Sequence, residues 1–462
     1  MANRKLAQWI LHGTKPIDTV NDDYLQEFLT SLNPYYKLPN EKNLKLMIHQ
    51  AYDWTEESMK ELLLSSAKYV SFTTDLWTSR AKQGYIGVTA SFMDNEFKIY
   101  DILLECKYLP YPHTAVAIKE SLISIINNWN LQEKIVAVTS DNGSNMVKAM
   151  SYLPDIIRIP CTAHTLQLAI GKALAPALVF VARAKRLIRF FQYPKQLERL
   201  QATQKALDYE NEVGVIQDVS TRWNSSFLAW ERLLYLKDAI DQLAIDLARN
   251  QDNNIKKDGR RLKKINLSED EWAFMEKLVD LLSLFEEATT FLGGSNYVTL
   301  SLMHPTISEL KSEFLTQITS INSEDVDFTN STTILDIEDE EEVCFEEEVE
   351  NDIDEIIDPV THGKIKINQP MVTNGIIDRI KNIILQALNK YWDVPSDIGL
   401  KAAYLDPRFK DLLFTSQEEK IRIEQILREE LQLLFPTSIN INNNESGNRE
   451  NISRNINGKY IL

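Results

Sequence analysis

The stretch YVSFTTDLWTS, Tyr69 to Ser79, ends a β-branched and aromatic run on a carboxylate, Asp75. A second stretch, KIVAVTSDNGSN, starts at Lys134 and ends another apolar run on Asp141. Runs of this composition, each followed by turn residues, predict two strands that end at their acids. The fold therefore depends on whether the two acids meet at one edge of a sheet.

The residues around these runs predict an α/β region followed by helices. Three consecutive strand patterns precede an amphipathic helix, the Asp141 strand, a short strand and another helix. In a β-β-β-α-β order the first and fourth strands are neighbours, so we expect both carboxylates at the same edge. The predicted organisation is a helical lead-in (1–60), the core (61–175), an α-helical insertion domain (176–323), an acidic linker (324–360), a C-terminal helical segment (361–435) and an Asn-rich tail (436–462).

The negative charge of the chain is local. Residues 324–358 contain seventeen Asp and Glu and no Lys or Arg, which accounts for the whole net charge of −17. So charged a segment cannot pack into a core, and we interpret it as a disordered linker, with a partner-binding acidic segment as the alternative. The tail after residue 435 is predicted to be disordered as well. Overall acidity therefore does not exclude nucleic acid as a partner.

Composition also bounds the compartment. The three cysteines are scattered along the chain, which argues against a disulfide framework. No apolar run is long enough for a membrane span, and the N-terminus lacks the pattern of a signal peptide. We expect an intracellular soluble protein without a membrane partner.

Two acids at one sheet edge favour a metal site. Paired carboxylates hold divalent cations, and such ions can bracket the attacking and leaving oxygens of a phosphodiester. The alternative is local: Asp75 caps the following turn, and Asp141 forms an Asx-turn in DNGS. The residues alone leave both interpretations open.

Two further pairs of residues are candidates for contacts with DNA. Cys161 and His164 stand three apart at a helix start, but no second Cys or His pair completes a zinc site, so no zinc is expected. Arg222 and Trp223 stand at the entry of another helix. An aromatic ring beside an Arg can stack on an unpaired base while the guanidinium binds phosphate. A Trp buried in the core is the ordinary alternative.

The run KKDGRRLKK, residues 256–264, is the clearest cationic segment. Six of its nine residues are Lys or Arg, among them Lys256, Lys257, Arg260 and Arg261. It lies outside any strong helical pattern, and it suits a nuclear import signal or contacts with phosphates. A solvated loop without function is the alternative.

Together, these stretches resemble the hAT transposase family and its domesticated relatives, the zinc-finger BED-type and plant sleeper proteins. The matching motifs are TTDLWTS, YIGVTASF, TSDNGSNM, IPCTAHTLQLAI, STRWNSSFLAWERLL, YVTLSLMHPTISEL and AAYLDPRFK, within residues 14–414. Each motif alone is a weak signal, whereas seven in collinear order are specific. The resemblance implies an RNase H-like catalytic core, with a mixed sheet, interrupted by a large α-helical insertion domain.

The resemblance also implies roles for the candidate residues. Asp75 and Asp141 match the first two acids of an Asp-Asp-Glu site, for which the expected ion is Mg²⁺. Cys161 and His164 match a CxxH signature that handles DNA rather than zinc. The Arg-Trp pair matches residues of the insertion domain, where the Trp stacks on a base flipped out of the cleaved DNA end.

Two departures from the family pattern shape the functional prediction. No S-x-x-S-E-R-x-F-S motif, which carries the third acid, follows Asp406, and no BED finger precedes Thr14. Loss of a ligand from a two-metal site removes most of the rate. We therefore expect a nuclear, transposase-derived DNA-binding protein with an incomplete catalytic site. The alternatives are an active metal-dependent transposase and an interaction module that binds protein partners through its acidic segment.

Overall fold

The computed structural model describes residues 2–79, 81–218, 223–319, 355–357 and 364–435. The helices in these ranges are α1 (Ala2–His12), α2 (Asp23–Leu32), α3 (Glu41–Ser66), α4 (Ala115–Asn128), α5 (Ser144–Ser151), α6 (Thr162–Ala173), α7 (Leu178–Phe191), α8 (Pro194–Ala206), α9 (Trp223–Arg249), α10 (Asn253–Ile265), α11 (Glu269–Leu292), α12 (Leu300–Thr319), α13 (Ile376–Tyr391), α14 (Asp397–Leu405) and α15 (Gln417–Leu434). Two short 3₁₀ helices span Ile17–Asn21 and Ala175–Ala177. The strands are β1 (Val70–Thr78), β2 (Gly84–Met93), β3 (Ile99–Tyr108), β4 (Ile135–Ser140), β5 (Ile157–Pro160), β6 (Glu355–Ile357) and β7 (Lys364–Lys366).

The first five strands form one mixed sheet in the order β3-β2-β1-β4-β5. Strands β1, β2 and β3 are antiparallel neighbours, and a bulge at Val88 and Thr89 shifts the β2–β3 register. Alternation along β2 explains its two faces, because Ile86, Val88 and Ala90 are fully buried while the residues between them are partly exposed. The predicted fold class, α/β plus all-α, is confirmed, and so is the prediction that the first and fourth strands are neighbours.

The chain divides into two compact units, 1–138 with 155–157, and 139–154 with 158–462 as far as it is described. In the first unit, α3 ends against the start of β4. The Lys134 ammonium donates to the carbonyls of Leu63 at 3.2 Å and Leu64 at 2.7 Å, in the last turn of the helix, and the Leu63 carbonyl also accepts from the Ala67 amide at 3.2 Å. Burial of this ammonium lowers the pKa of Lys134. Helices α1, α2 and α3 precede the sheet, and α3 runs to Ser66, past the predicted boundary of the lead-in at residue 60.

The second unit is mainly helical and shares one apolar core, to which α6, α7, α9, α11 and α13 contribute. Helix α11 begins with a capping box: the Ser268 hydroxyl accepts from the Glu271 amide, and the Glu271 carboxylate accepts from the Ser268 amide. The same carboxylate pairs with Arg183 of α7, and both side chains are buried. The Met371 amide also donates to Glu271, so the chain that leads into α13 is attached to the helical core.

A smaller apolar cluster at the C-terminal side of this unit is formed by α14, α15 and the residues between them, and α12 packs on α14. The Ser301 hydroxyl of α12 donates to the Asp406 carboxylate at 2.8 Å, and the Arg408 guanidinium donates to both oxygens of that carboxylate, at 3.0 and 2.7 Å. These hydrogen bonds, led by the one from Arg408, lower the pKa of Asp406. Asp406 thus fixes the turn after α14, as its Asp-Pro context predicts.

The predicted disordered segments fall largely outside the described residues. This is so for the tail of residues 436–462 and for the acidic linker of 324–360, except for Glu355–Ile357. Those three residues form β6, which pairs with β7 in an antiparallel two-stranded sheet, so this part of the linker is a strand. Among the described helices, none alone has the length and apolar character to cross a membrane; one bent pair, Thr162–Ala173 with Ala175–Phe191, meets that test by length and composition only.

Candidate nucleic-acid interface and the two acids

Asp75 lies within β1 and not at its end. The strand continues to Thr78 because Asp75 is paired with Gly87 and the pairing runs on to the β1–β2 turn. The side chain is exposed, and its carboxylate accepts from the Leu76 amide at 2.9 Å. The prediction that the first strand ends at Asp75 is therefore wrong, and so is the alternative in which Asp75 caps a turn.

Asp141 follows the last residue of β4 directly, as predicted. Its carboxylate accepts from the Gly143 amide at 3.2 Å, which is the Asx-turn that the DNGS sequence indicates. Asp75 thus belongs to β1 and Asp141 directly follows β4, and these two strands are neighbours in the sheet. That their carboxylates converge on one cation stays a prediction.

An arginine that the sequence analysis missed holds the Asp141 turn. The guanidinium of Arg158 donates to the Ser140 hydroxyl at 3.1 Å, to the Asn142 side chain at 2.8 Å and to the Asp141 carbonyl. Burial lowers the pKa of Arg158, and the negative charge of Asp141 opposes that shift. Its only sequence signal is its place in IIRIPC, on the strand that follows the turn.

The carboxylates do not form a complete metal site within the described part of the chain. There, no three His, Cys, Asp or Glu side chains gather in a way that could hold a metal ion. Glu105, within β3, is paired with Val88, whose side chain is buried, so it points to the sheet face opposite to Asp75. The described residues therefore do not fit the three-acid set that a Mg²⁺-dependent transposase requires.

Cys161 and His164 stand at the start of α6. Cys161 is the N-cap residue, and its amide donates to the Ser140 carbonyl at 2.7 Å, which joins α6 to the end of β4. The Thr165 hydroxyl donates to the Cys161 carbonyl and accepts from the Asn142 side chain, both at 2.9 Å. This CxxH pair therefore lies beside the Asp141 turn. Its predicted role in handling DNA, and the expected absence of zinc, stay predictions.

Trp223 is a core residue in this structure. It opens α9, only 5% of it is exposed, and its ring makes an edge contact with Phe227. Its amide donates to the Gln167 side chain at 2.9 Å, so the helix entry is attached to α6. The ordinary alternative of a buried Trp describes this arrangement, and base stacking by Trp223 would require the ring to leave the core. Arg222 lies outside the described residues.

The basic run of residues 256–264 lies in a helix, α10, so the alternative of a solvated loop does not describe it. Its apolar side packs on α9 through Gly259, Leu262 and Ile265. A Cβ at Gly259 would lie 2.7 Å from the backbone of α9, which shows how closely the two helices approach. This contact is tertiary, so the short sequence pattern did not reveal it.

The opposite side of α10 is strongly cationic. Lys257, Arg260, Lys263 and Lys264 are exposed there, while Lys256 and Arg261 are half-buried. These six residues, on the side of α10 away from α9, are called the basic face below.

The neighbouring helix α8 adds to this cationic surface. Asp258 of α10 accepts from Lys195 at 2.9 Å and from Arg199 at 2.8 Å, and these hydrogen bonds lower the pKa of Asp258 against the opposing effect of burial. The single acid of the run is therefore neutralised by α8, and cations predominate on both helices.

Comparison with known proteins agrees with these elements. Residues 73–165 match the family model of the ZBED1 RNase-like domain, and residues 159–281 match that of the ZBED1 RNase-like helical domain. A Zea mays protein named AC transposase is 23% identical over 92% of this chain and 48% of its own length. The Oryza sativa protein named zinc finger BED domain-containing protein RICESLEEPER 2 is 22% identical over 52% of this chain and 35% of its own length.

A fungal relative from Talaromyces stipitatus, named as the transcriptional regulator tpeD, is 24% identical over 57% of this chain and 34% of its own length. The chain thus spans about half or less of the length of these relatives. The matched domains coincide with the sheet that carries both acids and with the helical core that carries α10. The matches to these models and relatives therefore support a hAT-type, transposase-derived protein.

Proposed function

We propose that this protein binds DNA in the nucleus through the basic face of α10, with its RNase H-like domain serving as a scaffold and not as a catalyst. One observation carries the proposal: a helix packed tightly by Gly259 presents four exposed cationic side chains together, those of Lys257, Arg260, Lys263 and Lys264. Such a surface suits the phosphate backbone, which supplies most of the affinity of sequence-independent DNA binding. The nuclear location follows from DNA as the partner, and transposases and BED-type regulators are the relatives that support it.

The helix offers phosphates a preorganised surface. Because α10 is attached to α9 over its whole apolar side, its cationic side chains start from fixed backbone positions, and less entropy is lost when they bind phosphates. The neutralisation of Asp258 by α8 removes the one acid that would repel DNA there. Duplex DNA is the proposed partner, with low preference for sequence.

The experiment uses the purified full chain and a fluorescein-labelled duplex of about 20 base pairs, with polarisation as the readout. The triple variant Lys257→Gln/Arg260→Gln/Lys263→Gln is expected to bind at least tenfold more weakly at low salt, because about three phosphate contacts are lost. The control variant, Lys42→Gln/Lys45→Gln/Lys98→Gln, loses the same amount of charge at three exposed lysines of the first unit.

The control variant should bind within about twofold of the unmodified chain, because its lysines lie outside the proposed interface. Equal losses in both triple variants would mean that only the net charge matters, and α10 would not be the interface. Binding of duplex that is unchanged in the α10 variant would also refute the proposal.

The scaffold part of the proposal is tested separately with Mg²⁺ and Mn²⁺. Neither ion is expected to support strand cleavage or transfer by this chain on transposon-end duplexes, because two carboxylates alone hold catalytic ions weakly. Asp75 and Asp141 lie on neighbouring strands, which is the observation that favours an active enzyme. Metal-dependent cleavage that disappears in an Asp75→Asn variant would establish that alternative.

A further inference from the structure

A row of aromatic side chains crosses three strands of the first unit. Trp77 of β1 is paired with Tyr85 of β2, which is paired in turn with Tyr108 of β3. The rings of Trp77 and Tyr85 are stacked with centroids 5.9 Å apart, and Tyr85 meets Tyr108 edge-on at 6.0 Å. These three residues are called the aromatic row.

The aromatic row lies on the exposed face of the sheet. The buried face is made by residues one position along, such as Ile86, whereas Trp77 is 42% and Tyr108 is 50% exposed. An exposed large aromatic residue is common when it stands alone, but a contiguous row at one level of the sheet is not explained by chance exposure.

A glycine gives the Trp77 ring its position. Trp77 covers Gly87, and a Cβ on that glycine would lie 2.9 Å from the six-membered part of the indole. Any side chain at Gly87 would therefore push the ring away from the sheet. Since Gly87 is paired with Asp75, the aromatic row and the carboxylate stand at successive levels of the same face.

Cross-strand packing alone accounts for the contacts inside the row, since aromatic pairs of this kind stabilise a sheet. It does not account for the exposure of the two outer rings. Exposed aromatic rings on a sheet are the usual means of binding unpaired bases, because every base has a face that can stack on them.

We propose that the aromatic row of Trp77, Tyr85 and Tyr108 stacks on unpaired bases of single-stranded DNA. The proposal deepens the DNA-binding function proposed above and rests on it. It adds a second contact, specific for unpaired bases, to the basic face of α10, which binds phosphates of either form.

The charges around the row indicate the path of the strand. Asp75 is exposed on one side of the row, and the β1–β2 turn lies on the other side, where the phosphate backbone of the strand would run. There the β1–β2 turn presents Lys82, which is exposed and is held in the left-handed region with a φ of 58°. The Lys82 amide donates to the Ser79 carbonyl at 2.9 Å, which fixes the turn.

The test measures binding of the full chain to a labelled oligo-dT of about 20 nucleotides and to a blunt duplex of the same length. Trp77→Ala is expected to weaken binding of oligo-dT by about 5- to 150-fold, the range for loss of one stacking aromatic, and to leave duplex binding within about twofold. Tyr108→Ala is expected to act in the same direction and serves as a second variant because it lies on a different strand.

Two further variants separate stacking from sheet stability. Gly87→Ala keeps all aromatic residues but displaces the Trp77 ring, so it too should weaken oligo-dT binding. Leu103→Ala removes an exposed apolar side chain, 63% exposed on the same face of β3, and should leave oligo-dT binding within about twofold.

The outcomes are distinguishable. Loss of oligo-dT binding in the Trp77 and Tyr108 variants, with duplex binding retained, supports the proposal. Oligo-dT binding that is unchanged in both folded variants, or equally lost in Leu103→Ala, overturns it and leaves the aromatic row as cross-strand packing. An unmodified chain that binds neither oligo-dT nor duplex would instead refute the proposed function itself.

Discussion

The buried ion pair of Arg183 and Glu271 gives the sharpest stability prediction. The Arg183 side chain donates to both Glu271 oxygens, at 2.8 and 3.1 Å, and to the carbonyls of Ile367 at 3.0 Å and Asn266 at 2.9 Å. Replacing it in Arg183→Met would leave the Glu271 charge, which is fully buried, with only two backbone amides as partners.

The expected loss follows from that uncompensated charge. Breaking a buried pair by removing one partner costs about 3–5 kcal/mol, whereas neutralising both partners costs much less. We therefore expect Arg183→Met to lower the free energy of unfolding by about 3–5 kcal/mol. The double variant Arg183→Met/Glu271→Gln should recover a large part of the loss, although two carbonyls still lack their donor.

The assay is equilibrium unfolding in urea, followed by circular dichroism. The matched control is Lys237→Met, which breaks the Lys237–Glu269 pair of 2.8 Å at the same helix end, where the side chains are 31% and 81% exposed. Exposed pairs contribute at most about 1 kcal/mol, so the control should hardly shift the midpoint. Equal effects of Arg183→Met and Lys237→Met, or no recovery in the double variant, would refute the reasoning.

Three further predictions concern the same helical unit. Burial and the nearby charge of Lys311 lower the pKa of His304 from 6.5 to about 4. The contribution of neutral His304 to the free energy of unfolding is therefore fully present above pH 6.5. It decreases by up to about 1.4 kcal/mol per pH unit as the pH falls toward 4. Thermal unfolding of His304→Gln should lack this part of the pH dependence, and identical pH profiles would contradict it. Gly259→Ala should lower the free energy of unfolding by about 1–3 kcal/mol, despite the better helix propensity of Ala, because its Cβ would clash with α9. Gly171→Ala, which has open space at its Cβ, should raise the free energy of unfolding by up to about 1 kcal/mol. A change of the same sign in both variants, measured by urea unfolding, would contradict the close packing at Gly259. Trp223→Ala should cost about 3–5 kcal/mol in the same assay, and an unchanged midpoint would show that its ring is not part of the core.

The sheet was predictable because its signals are local. Alternation along β2 and the β-branched residues of β1 and β4 mark the strands, and the order of elements makes β1 and β4 neighbours. The end of β1 was not predictable in this way. The strand passes Asp75 because β2 pairs with it as far as Gly84, and such pairing is a property of the hairpin and not of either strand alone.

The sequence predicted that the run of residues 256–264 is cationic, but it did not predict that the run forms a helix. The run of residues 256–264 has few apolar residues and an internal glycine, which weaken any local helical pattern and left a solvated loop as an alternative. The helix exists because Gly259 permits a close approach to α9 and because Leu262 and Ile265 are buried there. For Trp223, the resemblance of the motif predicted stacking on a base. It could not predict that the ring is buried in the core, because burial depends on the tertiary packing of α9.

The salt dependence of duplex binding is the most direct test of whether the basic face of α10 binds the phosphates of DNA. For the unmodified chain and for Lys257→Gln/Arg260→Gln/Lys263→Gln, the logarithm of the binding constant is measured against the logarithm of the salt concentration between about 50 and 200 mM, where each phosphate contact contributes about 0.9 to the slope. We expect the slope of the variant to be smaller by about 2.7, while the Lys42→Gln/Lys45→Gln/Lys98→Gln control keeps the slope of the unmodified chain. Equal slopes for the unmodified chain and the α10 variant would contradict the assignment of DNA binding to the basic face.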